Sequence, residues 1–364
     1  MRILQLVTRF DFGGAENHVR ELCNELAASN HQVILLSRKG RQNELLDKRV
    51  IFIQLPSFVR NLILTKVVII AYLLLRYKID VIHAHQRLPI ISACIAGFIL
   101  RVPVVATVHG RVRHDLRSAI ARRFTSRIIF VSNQVLTISR HYGTIKHKSV
   151  VIPNGIPIPQ KLPDLEPYTI GYFSRIDERH FEVIKNLVLA VAKLKTDYPN
   201  VRLLLMGDGK EVEKLKLLIY EANSKLNEEA IQYKGFVKKL ENIGFFPELL
   251  FGVGRTAIEG LARGTNLISV NYKRMGEIVT LSNYEQYAMN NFVNVTGLPP
   301  TQEKIFNQLK NYYEKRDSYR SQAPVLAQRI ENDFGINKTT HRIIEVYSST
   351  LKSRGLPNSK QLYS

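Results

Sequence analysis

Cysteine is nearly missing from this chain: Cys23 and Cys94 are the only two, far apart, each in a segment that reads as helix. Two isolated thiols build no disulfide framework, so a buried core must hold the fold, and a reducing cytoplasm suits it. A membrane-crossing run is missing as well. A spanning helix needs about 20 apolar residues, whereas the longest stretch here, 62–75, is shorter and holds Lys66. It reads as a buried or amphipathic helix. No amino-terminal signal peptide is expected, because Arg2-Ile3-Leu4-Gln5-Leu6-Val7 runs straight into a glycine turn. Acids are scarce: 31 Asp and Glu against 52 Lys and Arg leave a net charge of +21. Such an excess draws nucleic acid, anionic lipid or acidic substrates without choosing among them. A nucleic-acid-binding module is disfavoured, since no recognition-helix, zinc or RNA-binding signature is present and the bases lack interleaved stacking aromatics. The imbalance is steepest from 111 to 148, where Arg111, Arg113, Arg117, Arg122, Arg123, Arg127, Arg140, Lys146 and Lys148 meet only Asp115. That run fits a solvated basic face or a face toward an anionic membrane, where each base adds about 1 kcal/mol.

What the chain does have is alternation. At roughly 150 residues per domain, a length of 364 predicts two domains, and 45% hydrophobic residues can fill substantial cores. The first half reads as strand 2–7, helix 16–28, strand 33–37, a short strand near 50–55, helix 62–77 and strand 80–85. Helix 88–100, strand 103–108, helix 114–124, strand 127–131, helix 133–142 and strand 149–152 follow. Alternating strands and helices predict a parallel sheet covered on both sides, an α/β class. A proline-rich linker at 154–167 interrupts the pattern. It then restarts with strand 168–173, helix 182–198, strand 201–206, helix 212–226, strand 231–233, strand 266–270, a short helix after Gly276 and a weak strand near 292–295. The resulting division is 1–153, linker 154–167, 168–325, helices 326–352 packing back toward the first domain, and a polar tail 353–364. Two such halves place a cleft at the C-terminal ends of their strands.

The stretch 251–264, FGVGRTAIEGLARG, is the densest in chemistry. Gly252 and Gly254 permit a tight loop. Ala257, Ile258, Leu261 and Ala262 recur at helical spacing, and Gly264 suits a left-handed cap. A loop feeding a helix offers free N–H groups and a positive dipole end to phosphate. Glu259, one turn in, can accept both hydroxyls of a ribose diol. The plainer alternative is a surface ion pair between Arg255 and Glu259, which are i, i+4.

Other motifs recur at strand ends: Gly13-Gly14-Ala15-Glu16, Val81-Ile82-His83-Ala84-His85, Ala106-Thr107-Val108-His109-Gly110 and Val151-Ile152-Pro153-Asn154-Gly155. Met206-Gly207-Asp208-Gly209 and Tyr233-Lys234-Gly235-Phe236-Val237 repeat comparable signatures in the second half. In this order and spacing, over nearly the whole chain, they resemble the retaining glycosyltransferases of the GT-B fold, family 4 (group 1). The resemblance implies two Rossmann-like doubly wound domains facing across a cleft, the first binding acceptor and the second a nucleotide-diphosphate sugar. It implies that Glu259 is the second acid of the family's Glu-x7-Glu motif and binds ribose. Arg175 matches an arginine that clamps the diphosphate. Lys185, with Arg179 as rival, matches the lysine that normally follows. His109 matches a histidine that contacts the donor sugar. Gly13 and Gly14 would let backbone approach the diphosphate or acceptor, with Gly207, Gly235, Gly254 and Arg255 also on the donor side. His83 and His85 point to one side of a strand, as paired metal ligands would, but no third ligand stands at motif spacing. No Asp-x-Asp pair is present either, so metal-independent transfer with no cofactor is expected.

The resemblance also implies a glycan or lipid-linked acceptor, a role in polysaccharide or lipopolysaccharide synthesis, hexosyltransferase-type activity and a cytoplasmic site on the inner face of a bacterial membrane. A sugar-nucleotide epimerase on the same fold is the alternative. One position departs from the family: the first acid of the pair falls on Phe251. Glu248 or Arg255 is expected to stand in for it, and Phe251→Ala to alter sugar preference.

Overall fold

Seven strands in the first half and six in the second form two separate sheets of like order. The computed structural model describes residues 1–11, 13–56, 59, 62–110, 123–139, 143–237, 243–293 and 297–353. Met1–Pro157 together with the chain from Asp333 onward form one unit, and Ile158–Asn332 the other.

The first unit runs β1 (Arg2–Arg9), α1 (Gly14–Ala28), β2 (Gln32–Arg38), β3 (Ile51–Gln54), α2 (Ile63–Arg76), β4 (Val81–His85) and α3 (Arg87–Ile99). It continues with β5 (Val104–Val108), β6 (Arg127–Phe130), α4 (Asn133–Ile138) and β7 (Ser149–Val151). Its order is β3-β2-β1-β4-β5-β6-β7, with every pair parallel. The central strands are buried on both faces, as their unbroken apolar runs require. One face is covered by α2 and α3 over Leu4, Ile34 and Ile82. On the other, Val19, Leu22 and Leu26 of α1 pack over Ile3, Val33 and Val81. The expected helix 114–124 falls almost entirely outside the described residues, as do 140–142 of the expected helix 133–142 and the acids and bases between 111 and 122.

The second unit runs β8 (Leu165–Phe173), α5 (Glu178–Leu194), β9 (Arg202–Met206), α6 (Val212–Leu226), β10 (Ile231–Tyr233), β11 (Phe246–Gly252), α7 (Gly254–Leu261) and β12 (Asn266–Val270). After these come β13 (Met275–Ile278), α8 (Tyr284–Ala288), α9 (Gln302–Glu314) and α10 (Arg316–Phe334). The order is β10-β9-β8-β11-β12-β13, parallel except for antiparallel β13. Five sequence expectations need correction. The central strand β11 was not foreseen. The short helix after Gly276 is instead β13, a hairpin partner of β12. The helix expected to start at 182 starts at Glu178, because the Asp177 side chain accepts from the His180 backbone N–H and caps it. Phe292 and Val293 lie in a turn rather than a strand, with 294–296 outside the described residues. The linker 154–167 is also shorter than expected, since β8 begins at Leu165.

α11 (Ile336–Lys352) ends the described chain and packs on α1, with Ile343 and Tyr347 in the first unit's core. Its return begins at Asp333 rather than at 326. In each sheet the strand order reverses at one point, between β1 and β4 and between β8 and β11. Ligands of doubly wound sheets bind beyond the C-terminal strand ends at such points.

Candidate active site

In the second unit the switch point lies between the loop after β8, carrying Ser174 and Arg175, and the turn from β11 into α7. Gly254 opens α7 at φ +59, a left-handed conformation that favours glycine. Val253 offers no side-chain cap, so the first N–H groups of the helix point outward with the positive end of its dipole. At the other end Gly264 takes φ +76, and the bonds Thr265 N–H to Gly260 O (3.2 Å) and Gly264 N–H to Leu261 O (3.0 Å) close a Schellman cap. Glu259 is one turn in and half-buried, and Arg255 Nε donates to its Oε1 at 2.7 Å. The structure thus contains the i, i+4 pair, and it holds the carboxylate in place beside the helix start.

Arg175 is exposed, and its guanidinium has no partner among the described residues. Its loop is rigid nonetheless. Ser174 N–H donates to Met206 O (3.0 Å), Ile176 N–H to Asp208 O (3.0 Å) and Glu211 N–H to Ile176 O (3.0 Å). Gly207 belongs to this clamp: a Cβ there would collide with the Ser174 carbonyl. Its N–H donates to Gly235 O (2.9 Å) and its carbonyl accepts from Tyr233 Oη (2.9 Å). Both backbone groups therefore make bonds inside the protein, so the structure shows a part for Gly207 in fixing the loop. Gly235, at φ +72, has open space on its Cβ side while its carbonyl serves the clamp. The rivals for the second cation separate clearly. Arg179 donates to Asp177 at 3.2 Å and lies over the Tyr272 ring at 5.5 Å. Lys185 is exposed in the second turn of α5, without a partner among the described residues.

Two further expectations fail here. Phe251 is fully buried in the second unit's core beside Leu249 and Ile268, so it faces no ligand. Glu248 cannot replace the missing acid, because it is buried and committed. Arg316 Nε and Nη2 donate to its two oxygens at 2.8 and 2.6 Å, and Tyr312 Oη adds a bond at 3.1 Å. Arg255 is left as the polar group beside Phe251's place in the motif.

In the first unit, sequence reasoning named His83, His85 and His109 but missed what connects them. Gln5 Nε2 donates to Tyr347 Oη (3.2 Å), and the Tyr347 hydroxyl shares a hydrogen bond with His83 Nδ1 (2.6 Å). His83 Nε2 shares another with Thr107 Oγ1 at 2.7 Å. His85 Nε2 donates to Gln5 Oε1 at 2.9 Å, leaving its Nδ1 to accept from His109 Nε2 at 3.3 Å. The tautomers follow in sequence. His109 is left with a bare Nδ1 lone pair that is buried and has no partner among the described residues. His18 closes the group, its ring 5.7 Å from His85 and 5.5 Å from His109. With every ring nitrogen of His83 and His85 occupied, the pair is a hydrogen-bond relay and not a pair of metal ligands. The signal available in the sequence was Gln5 inside an otherwise apolar strand.

Near the end of β1, Gln86 Nε2 donates to Glu16 Oε1 (2.6 Å) and Thr8 N–H donates to Gln86 Oε1 (3.2 Å). The Glu16 carboxylate occupies the space where a Cβ of Gly13 would sit, while Gly14 faces open space. Gly14 alone of the two leaves room for an approaching group. Phe12 lies outside the described residues. Of the basic run 111–148, Arg111, Arg113, Arg117, Arg122 and Arg140 also do. Lys148 Nζ donates inward to Thr125 O (2.9 Å) and Arg127 to Ser126 O (3.2 Å).

Burial, with some repulsion from neighbouring histidines, lowers His83 to about 3, and burial lowers His109 to about 4; His85 lies well below its ordinary value for the same reasons. All three are neutral at pH 7, so His109 Nδ1 can accept a hydroxyl proton but offers no positive charge. Unfolded histidines titrate near 6.5, so below about pH 6.5 the unfolded chain binds more protons and stability falls with pH. Stability from this cluster is complete above that pH and declines as the solution is acidified toward about 4. Urea unfolding from pH 7.5 to 4.5 checks this, and His109→Gln is expected to flatten the slope by about one proton. An unchanged slope in that variant contradicts the assignment.

Comparison with known proteins adds a family. Residues 12–159 match the model for Glycosyltransferase Family 4, and residues 158–323 match Glycosyl transferases group 1. The chain is 22% identical over 417 aligned residues to a glycogen synthase of Mycobacterium tuberculosis, covering 99% of this chain and 97% of that protein. A glycosyltransferase from Rickettsia africae superposes with a TM-score of 0.75 at 22% identity, over 96% of this chain and 98% of that one. HepE from Anabaena, solved in complex with UDP, gives 0.72 at 20% identity, over 96% and 100%. At these identities the structural likeness speaks for the fold, which is α/β of the GT-B type. Among the described residues no helix is long and apolar enough to cross a membrane. Through the two family models, which together span 12–323, the chain belongs to the group 1 glycosyltransferases and is a glycosyltransferase.

Proposed function

We propose that the protein moves a sugar from a nucleotide-diphosphate donor to a glycan or lipid-linked acceptor, with retention and without a metal ion, in cell-surface polysaccharide or lipopolysaccharide synthesis. The observation that carries the donor half is the corner at the second unit's switch point. There an exposed, unpartnered Arg175 and an uncapped helix start meet a fixed carboxylate one turn along. The N–H groups and dipole of α7 suit phosphate, and a guanidinium suits two of its oxygens. Glu259 accepts the ribose hydroxyls. Lys185, free where Arg179 is engaged, supplies the second cation as a point charge. His109 keeps the donor-sugar contact that the resemblance to the family implies.

The reaction then needs no protein nucleophile. The acceptor oxygen attacks the anomeric carbon from the face that the diphosphate leaves, and the carbon–oxygen bond to phosphate breaks with its electron pair on the diphosphate. That oxygen takes the acceptor's proton. Arg175 and Lys185 offset the charge as it grows. The enzyme works in the cytoplasm at the inner face of a bacterial membrane, where lipid-linked acceptors are presented.

A panel of nucleotide sugars screened by thermal unfolding and then by product analysis tests this reading. The true donor at 100 times its Kd adds about 2.7 kcal/mol of stability, and transfer is expected only when acceptor is supplied. UDP-glucose is a first donor to try, given the UDP held by the Anabaena protein. Interconversion of a nucleotide sugar with no acceptor present would support the epimerase alternative and overturn the transferase one.

A further inference from the structure

α2 is apolar almost all the way round, interrupted only by Thr65, Lys66 and Arg76. Such a helix is ordinarily buried on every side. Here one side is: Val67, Ile70, Leu73 and Leu74 pack over the first unit's sheet. The opposite side is open. Leu64 is 78% exposed, Val68 67%, Tyr72 61% and Leu75 68%. At 3.6 residues per turn these four fall within about 80° of one another, a continuous stripe along the helix. α3 packs beside α2 and ends in two more exposed apolar residues, Phe98 at 65% and Ile99 at 61%. Scattered apolar residues on a surface are ordinary, but a contiguous patch of this kind marks a docking site.

Charge says what docks. Between residues 56 and 114 the chain contains one acid, Asp80, and Arg2 Nη2 binds its carboxylate at 2.9 Å. Exposed bases stand where the two helices end: Arg76 and Lys78 shortly after Leu75, and Arg101 two residues after Ile99. An apolar stripe with bases at its C-terminal end, and no unpaired acid in the segment 56–114, complements the acyl boundary and anionic headgroups of a bilayer. The helix has 14 residues, about 21 Å, too short to cross one and suited to lying in its surface.

We propose that the outer face of α2, with the end of α3, is a docking surface that lies in the interface of an anionic membrane. The proposal rests on residues of α2 and α3 and not on the basic run 111–148. It shares with the proposed function only the placement of the enzyme at a bilayer, and nothing of the donor chemistry.

Flotation of the full chain with vesicles tests it, using phosphatidylcholine alone and phosphatidylcholine with one third phosphatidylglycerol. The wild type is expected to float with the anionic vesicles. Leu64→Glu combined with Leu75→Glu is expected to lower binding by about tenfold or more, since insertion is lost and two like charges face the lipid. Arg76→Gln combined with Lys78→Gln weakens binding to anionic vesicles selectively. All four side chains are exposed, so melting and nucleotide binding should stay at wild-type values, which separates this proposal from the donor reading. Wild-type binding by the Leu64/Leu75 variant overturns the proposal and points to the 111–148 run. No binding of the wild type to either vesicle overturns it, as does a wild-type dimer that this variant dissociates.

Discussion

Arg175→Ala is expected to lower kcat by about 10²–10³ while leaving the melting curve at its wild-type position. The size follows from removing one preorganised charge aimed where negative charge develops on the leaving diphosphate. The unchanged stability follows from the structure, because the guanidinium is exposed and touches no described partner. The loop beneath it is fixed by backbone bonds to the β9–α6 turn, which the substitution leaves intact. Arg175→Lys should recover part of the loss, since an ammonium keeps the charge but not the two-pronged grip on phosphate oxygens. Steady-state kinetics beside a thermal melt check both parts. A variant with wild-type kcat removes Arg175 from the chemistry, and one that melts early reassigns it to structure.

Phe251→Ala should act on stability and not on sugar choice. Its ring is fully buried between strands and helices of the second unit's core, so truncation leaves a cavity costing about 3–5 kcal/mol. That is a large share of the roughly 5–15 kcal/mol that holds a protein folded. Urea midpoints of the two proteins give the cost, and donor preference measured on the fraction still folded should match the wild type. A stable variant with altered preference would return Phe251 to the sugar site.

Phe251 also shows where sequence stopped being informative. The alternation of apolar runs made both doubly wound sheets legible, and the order of strand-end motifs made the family legible. β11 escaped because Pro247 and Glu248 sit inside it, and such residues argue against a central strand. The fold accommodates them by a register shift at Pro247 and by giving Glu248 to Arg316, which lies 68 residues further along. No local pattern carries that pairing. β13 was read as helix for a related reason: its strand character comes from pairing with β12, not from its own four residues.

The candidate site divides in the same way. Glu259 and Gly254 were singled out because they belong to a local loop-and-helix pattern, and Arg175 because it matches the family's arginine. Lys185 was already preferred to Arg179 in the sequence, and the structure adds that Asp177 and Tyr272 engage Arg179. The tautomer of His109 needed more still. It depends on Gln5 at the start of the chain and connects to Tyr347 near its end, a relation that spacing alone cannot express. At Gly207 the structure adds a reason that the sequence does not show, since the neighbouring Ser174 carbonyl leaves no room for a Cβ.

The most direct test of the donor corner is a calorimetric titration of UDP, with GDP and ADP in parallel, into the wild type and into Glu259→Ala. One nucleotide diphosphate should bind the wild type, and the variant should bind it about ten- to a hundredfold more weakly, the worth of charged hydrogen bonds to the ribose. Equal affinity in the two proteins, or no binding of any of the three to the wild type, would contradict it.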